Sequence, residues 1–132
     1  MSRINRSALK RHQGGAAAVE FAIVSSVFFA FILGIGYLGI MLFTDLAVHW
    51  ALEKGARVAE IDTGTTRDAV AAAINGYLNS MGVASAAVTY SVVNGVFPVA
   101  HIGATLTQTY AVPMISSFTI TYSANTDVPQ GS

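Results

Sequence analysis

The three histidines are the first candidates for chemistry, since imidazole serves as a metal ligand and as a general acid or base. His12, His49 and His101 lie far apart in the sequence. Only His49 has carboxylates at helical spacing, Asp45 one turn before it and Glu53 one turn after it. A solvated helix face gives the same pattern, and no His-Glu-x-x-His or similar ligand spacing occurs. The histidines therefore predict no metal site.

Motifs for other kinds of catalysis are also weak. The sequence has no Gly-x-Ser-x-Gly pattern for a nucleophilic serine. It contains no cysteine, which excludes disulfides, thiol catalysis and cysteine-ligated zinc, and its seven acidic residues leave little from which to build an active site. We expect a protein that is not an enzyme and has no cofactor. A membrane-tethered enzyme is the weakest interpretation.

Glu20 is the one charged residue in an unusual position. It stands at the start of a long uncharged run, but residues 16–19 before it are already apolar. A carboxylate within a bilayer costs a few kcal/mol unless it is neutralised or paired. Two interpretations follow: Glu20 lies at the level of the lipid headgroups, or it meets a positive partner inside the membrane.

The uncharged run covers residues 21–44, which are 24 residues between Glu20 and Asp45. As a helix it is about 36 Å long, enough to cross a hydrocarbon core of about 30 Å. A core helix of so small a protein has no need for this length. A secretory signal has a shorter apolar region, of about 7–15 residues, and a small-residue cleavage site after it. The run therefore predicts a single transmembrane helix.

The charges before and after this run differ. Residues 1–15 carry four basic and no acidic residues, whereas the remainder carries three basic and seven acidic ones. By the positive-inside rule the N-terminus is cytoplasmic and the C-terminus lies across the membrane. Four charges without stacking aromatics make a poor nucleic-acid arm, so we expect no nucleic-acid partner. Residues 1–15 read as a disordered leader.

Small residues recur every four positions inside the run. On a helix they form one stripe, along which a second helix could approach closely in lipid. Small residues are also common in transmembrane helices in general, so the stripe has two interpretations. Its members are Ala18, Ala22, Ser26, Ala30 and Gly34.

The rest of the chain predicts a small α+β head. Helical spacing continues past the run, so we expect one helix over residues 16–60, a break at 62–66 and a short amphipathic helix that Gly82 ends. Alternating β-branched and aromatic residues then predict antiparallel strands at 88–93, 99–110 and 119–126, the first two joined at Asn94-Gly95. Residues 113–118 read as a connector, and residues 128–132 as a frayed tail. The predicted domains are a leader (1–15), a long helix (16–60) and a head (61–132).

Two stretches resemble a known family. G-G-A-A-A-V-E-F (residues 14–21) resembles the processing site of type IV prepilins, in which a basic leader ends in glycine and the fifth mature residue is glutamate. A-V-E-F-A (18–22) and E-K-G-A-R-V-A (53–59) together are similar to the TadE-like proteins of tight-adherence (Flp, type IVb) pilus systems. The resemblance covers roughly residues 11–59 and implies a pilin-like fold, with a long transmembrane helix and a small head.

The resemblance also implies a function. A prepilin peptidase would cut between Gly15 and Ala16, and the product would be a minor pilin or pseudopilin that enters, or helps to assemble, an adhesive pilus. Glu20 and Phe21 would act in subunit assembly, and Ala22, Ser26, Ala30 and Gly34 in helix packing. The implied partners are the peptidase, other pilin or pseudopilin subunits, the inner-membrane assembly platform and the bilayer. The alternative is an uncleaved single-pass scaffold protein of a pilus or secretion machinery, anchored in the bacterial inner membrane.

Overall fold

The computed structural model describes residues 6–112 and 116–130, with side chains from Gly15 onward. Two helices precede three strands, as predicted: α1 (Arg6–Ile61), α2 (Arg67–Ser80), β1 (Ala87–Val93), β2 (Val99–Val112) and β3 (Ser116–Pro129). The strands form one antiparallel sheet in the order β1-β2-β3. This arrangement confirms the α+β class, with a long apolar N-terminal helix and a small head.

Helix α1 begins ten residues earlier than the sequence suggested. Its first residue is Arg6, whereas we expected Ala16, and its last residue, Ile61, is one beyond the predicted Glu60. Residues 6–13 contain no proline and are rich in residues with good helix propensity, so the local sequence can continue the helix toward the N-terminus. A disordered leader is therefore wrong from Arg6 onward, while residues 1–5 lie outside the described part of the chain. The chain divides after Ile40 into two compact units.

Helix α2 has well-defined ends. Thr66 caps its N-terminus by accepting a hydrogen bond from the Ala69 N–H at 3.4 Å. At the other end the Val83 N–H bonds to the Leu78 carbonyl at 2.9 Å, and Gly82 has a φ of 74°. Glycine adopts that left-handed conformation without steric cost, which confirms Gly82 as the stop.

Strand β1 is held beside α2 by side chains of that helix. The Asn75 carboxamide bonds to both backbone groups of Ala86, accepting from its N–H at 2.8 Å and donating to its carbonyl at 3.3 Å. The Arg67 Nε donates to the Val88 carbonyl at 3.0 Å. These bonds satisfy backbone groups on the outer edge of the sheet, where a strand has no neighbour to pair with.

Several strand ends differ from the sequence prediction. Residues 94–98 form the whole loop between β1 and β2, because Val93 pairs with Val99, so the connection is longer than a two-residue turn. Residues 116–118 belong to β3 and not to a connector, and 113–115 lie outside the described residues. The tail prediction is also wrong up to Gln130, which is buried: its N–H donates to the Pro98 carbonyl at 2.8 Å and its Nε2 to the Ala59 carbonyl at 3.2 Å.

The core of the C-terminal unit lies between the helices and one face of the sheet. Alternation along β2 and β3 buries every second residue and leaves threonines on the other face, where Thr107–Thr121 and Thr109–Thr119 pair across the strands at 3.3 and 3.0 Å. Most of the buried side chains are apolar. The completely buried ones are Val48, Ala51 and Ala59 of α1, Val70, Ile74 and Leu78 of α2, and Ala100 of β2.

Candidate functional site

The N-terminal unit presents an apolar helix surface without cover. From Gly15 on, α1 is long and apolar enough to cross a bilayer, and none of its most apolar 18-residue window is buried. Phe21, directly after Glu20, has 74% of its surface exposed. A soluble protein rarely exposes so large an apolar surface, whereas a helix in lipid does so along its length. This finding agrees with a membrane-anchored protein.

The two serine side chains within this stretch form hydrogen bonds to backbone carbonyls of the helix itself. The Ser25 hydroxyl donates to the Ala22 carbonyl at 3.1 Å, and the Ser26 hydroxyl donates to the Ile23 carbonyl at 2.8 Å. Such bonds matter in hydrocarbon, where no water can replace them. Ser26 therefore adds a small, internally bonded residue to the stripe.

Glu20 is different, because no bond to a described residue compensates its charge. Its side chain is exposed, and among the described residues its carboxylate has no hydrogen-bond or ion-pair partner. Ala16 is one helical turn before it, about 6 Å along the axis. A partner for this carboxylate at membrane depth would have to come from the bilayer surface or from another molecule.

The small-residue stripe is also uncovered. Ala18, Ala22, Ser26 and Ala30 are all exposed, and a Cβ added to Gly34 would have no atom within 4 Å. The stripe members therefore lie on a surface that no other part of the described chain occupies. Gly34, Gly36 and Gly39 have the spacing of a dinucleotide-binding fingerprint, but they lie inside α1 and not between a strand and a helix, so that function is excluded for them.

The predicted processing bond lies inside α1. Gly15 and Ala16 are both helical and exposed, and a Cβ on Gly15 would contact nothing within 4 Å. Side chains of other described residues therefore do not cover this bond. A peptidase that needs extended backbone would have to unwind the helix here, and glycine lowers the cost of doing so because it weakens a helix by about 1 kcal/mol relative to alanine.

A buried hydroxyl cluster joins α1 to the sheet within the C-terminal unit. The Tyr110 and Tyr122 hydroxyls are 2.8 Å apart, and the Thr44 hydroxyl lies 3.4 Å from that of Tyr110. Burial, reinforced by the hydrogen bond to Tyr110, raises the pKa of Tyr122 from 10.0 to about 12. Tyr122 is therefore a neutral hydrogen-bonding group at ordinary pH, and the cluster anchors the sheet to α1.

Gly55 has a packing role that the sequence pattern did not reveal. A Cβ built on it would lie 2.7 Å from Ile74 Cγ1 and 3.2 Å from Val70 Cγ1. Only glycine allows α2 to approach α1 this closely, and Ala59, one turn later, is completely buried. The glycine and the last alanine of the stretch G-A-R-V-A (55–59) are thus explained by the contact between the helices. The spacing alone could not identify the partner residue Ile74.

His49 and His101 have separate partners. His49 Nδ1 lies 2.9 Å from the Asp45 carbonyl and 3.9 Å from its carboxylate, as expected for an exposed helix face. His101 pairs instead with Asp127 across β2 and β3, at 2.5 Å on the exposed side of the sheet. No group of three potential ligands that could hold a metal occurs among the residues described, and the side chain of His12 is outside them.

Comparison with known proteins gives one match. Residues 15–57 match the model of the family described as TadE-like protein. The match includes Glu20, the apolar run and Gly55, and it ends before α2 and the sheet. Neither a curated protein nor a solved structure matches the chain.

Proposed function

We propose that the chain is a TadE-like protein of Tad pilus systems and that it is a minor pilin or pseudopilin. The family match over residues 15–57 supports the first part. A prepilin peptidase removes residues 1–15, and the mature protein enters, or assists assembly of, a type IVb pilus. The observation that carries this proposal is the exposed Glu20 carboxylate, one helical turn beyond Ala16 at the start of an uncovered apolar helix. The partners are other pilus components: the peptidase, neighbouring pilin or pseudopilin subunits and the inner-membrane assembly platform.

Cleavage would create a positive charge that can pair with the Glu20 carboxylate. After residue 15 is removed, Ala16 carries a positively charged amine one helical turn, about 6 Å along the axis, from the carboxylate. Two opposite charges in an apolar environment offset each other's desolvation only when they meet directly. The carboxylate of one subunit and the amine of the next would therefore pair, and a slip of one helical turn would separate them. The pair would fix the axial register of neighbouring subunits.

The stripe of small residues allows a neighbouring helix to approach α1 closely, as this pairing requires. In lipid there is no water to drive helices together, so association depends on packing and on polar contacts. Ala22, Ser26, Ala30 and Gly34 present little side-chain volume, and Phe21 beside Glu20 offers an aromatic contact at the same level. A neighbouring helix could thus lie along this face of α1 with its amine opposite Glu20.

The second candidate is an uncleaved scaffold that stays in the inner membrane beside the pilus machinery. It is supported by the helical start at Arg6, since the bond after Gly15 lies within α1 rather than in an extended segment. The two candidates differ in mature mass. Mass spectrometry of membrane-extracted protein should find Ala16 as the first residue if the chain is a pilin, and an intact leader in cells with an active peptidase would support the scaffold.

The test of the assembly role is Glu20→Gln beside Glu53→Gln in cells that express the pilus machinery. Both variants remove one carboxylate from α1, but Glu53 lies beyond the apolar run on the exposed face. We expect both proteins to insert in the membrane, and only Glu20→Gln to be lost from the pilus fraction sheared from the cell surface. Equal recovery of the two variants from that fraction would leave Glu20 as a headgroup-level residue and contradict the proposal.

A further inference from the structure

An open apolar groove lies where α1 leaves the predicted membrane span. It has a volume of about 260 Å³, and six side chains line it: Phe43, Leu46, Ala47 and Trp50 of α1, and Tyr77 and Met81 of α2. Trp50 is 51% exposed and Met81 38% exposed. The groove therefore remains uncovered although α2 contributes one of its walls.

The side chains along the groove are ordered by polarity. Phe43, near the end of the span, and Leu46, just beyond it, come first along α1. Trp50 and Tyr77 follow, and the Lys54 ammonium, outside the lining, lies 5.9 Å from the centre of the Tyr77 ring. Aliphatic, then aromatic, then cationic side chains are the order met on passing from hydrocarbon to lipid phosphates, where tryptophan and tyrosine favour the boundary and lysine reaches the headgroups.

The position of Trp50 along α1 supports this depth. Trp50 is six residues beyond Thr44, the last residue of the uncharged run, which corresponds to about 9 Å of helix. Tryptophan is enriched at this level, where hydrocarbon meets the headgroups and water. The groove then lies within the headgroup layer on the side of the head.

We propose that this groove binds the bilayer surface, so that the C-terminal turn of α2 rests in the lipid headgroup region and holds the head against the membrane. The occupant is phospholipid: acyl carbons against the apolar lining and a lipid phosphate beside Lys54. The inference rests on the membrane span of the proposed function. It adds that α2, in the head, is itself a membrane-contacting helix.

The chemistry of the lining favours lipid over a protein partner. Protein interfaces combine an apolar centre with hydrogen-bonding groups that set the orientation. The groove walls here are almost entirely apolar, which suits disordered acyl chains that need no fixed geometry. Asp45 and His49 lie outside the groove lining, so no carboxylate of the lining repels an anionic headgroup.

The absence of cysteine from the chain allows a direct test with single spin labels. Nitroxides are placed at Met81→Cys in the groove, at Ala72→Cys on the exposed side of α2 and at Ile32→Cys in the span. The full-length protein is reconstituted at low density in vesicles of phosphatidylcholine and phosphatidylglycerol. Power saturation then compares access of oxygen, which concentrates in hydrocarbon, with access of a water-soluble nickel chelate.

We expect label 32 to favour oxygen several-fold over nickel, label 81 to favour oxygen less strongly, and label 72 to favour nickel. Label 81 behaving like label 72, while label 32 remains in hydrocarbon, would overturn the groove proposal alone. If label 32 favoured nickel, the segment around it would be in water. That result would contradict the membrane span and both proposals that depend on it. Shielding of label 81 from both reagents, with spin–spin broadening between copies, would mean a protein occupant and would contradict the lipid assignment. As a check on the unsubstituted protein, lipids brominated near the headgroup should quench the fluorescence of Trp50. Absence of quenching would contradict the proposal.

Discussion

Gly55 of α1 and Ile74 of α2 meet where the two helices pack most closely. A methyl group in place of the Gly55 hydrogen would lie 2.7 Å from both the Cγ1 and the Cδ1 of Ile74, which is completely buried. The side chain of Ile74 cannot move away without disturbing its packed neighbours. The contact therefore sets the distance between α1 and α2, and through Asn75 it also positions strand β1.

The first prediction is that Gly55→Ala destabilises the head, although alanine is the better helix former. Overpacking of this kind costs about 1–3 kcal/mol. The control is Gly76→Ala in α2, where an added Cβ would contact nothing within 4 Å and the gain in helix propensity is up to about 1 kcal/mol. Urea unfolding of both variants in detergent, followed by Trp50 fluorescence, should move the midpoints in opposite directions. A Gly55→Ala midpoint at or above that of the original protein would contradict this account of the contact.

The second prediction concerns stability at high pH. The folded protein holds the Tyr122 proton more tightly than the unfolded chain, because burial raises its pKa to about 12 from 10.0. Stability from this residue is therefore complete below pH 10 and declines as the pH rises through about 12, by up to about 1.4 kcal/mol per pH unit.

Tyr122→Phe should separate this effect from other titrations. The variant loses the hydrogen bond to Tyr110, at a cost of about 1 kcal/mol near neutral pH, but it has no hydroxyl proton to release. Its free energy of unfolding should consequently fall less between pH 10 and about 12 than that of the original protein. If the free energies of unfolding of the two proteins fell in parallel over that range, Tyr122 would not contribute to the pH dependence of stability.

The third prediction concerns orientation in the membrane. Four basic residues before the span and an acidic balance after it favour a cytoplasmic N-terminus. A cysteine at Val96, which is 92% exposed in the loop between β1 and β2, should react with a membrane-impermeant maleimide added to cells with a permeable outer membrane. In cells that lack the prepilin peptidase, so that residues 1–15 are retained, a cysteine at Ser2 should react only after lysis. Labelling of Ser2→Cys, but not of Val96→Cys, in intact cells would reverse the orientation.

Much of the fold and part of the candidate site could be predicted from the sequence. The sequence correctly predicts the features that depend on neighbours a few residues away. They are the apolar run, the break at 62–66, the stop at Gly82 and the alternation of the strands. Glu20 could also be identified locally, because a single carboxylate beside an apolar run is unusual wherever the rest of the chain lies. Its partner in another subunit stays a prediction.

Only the tertiary structure decided the features that join distant parts of the chain. The pairing of His101 with Asp127 depends on strand register, and the burial of Gln130 depends on its bond to Ala59, 71 residues earlier. The close contact at Gly55 needs Ile74 of another helix, and the groove needs Tyr77 and Met81 beside Trp50. Sequence patterns show which face of an element is apolar, because that follows from its own periodicity. They do not show which element will cover that face, because that is set by packing among residues far apart in the chain.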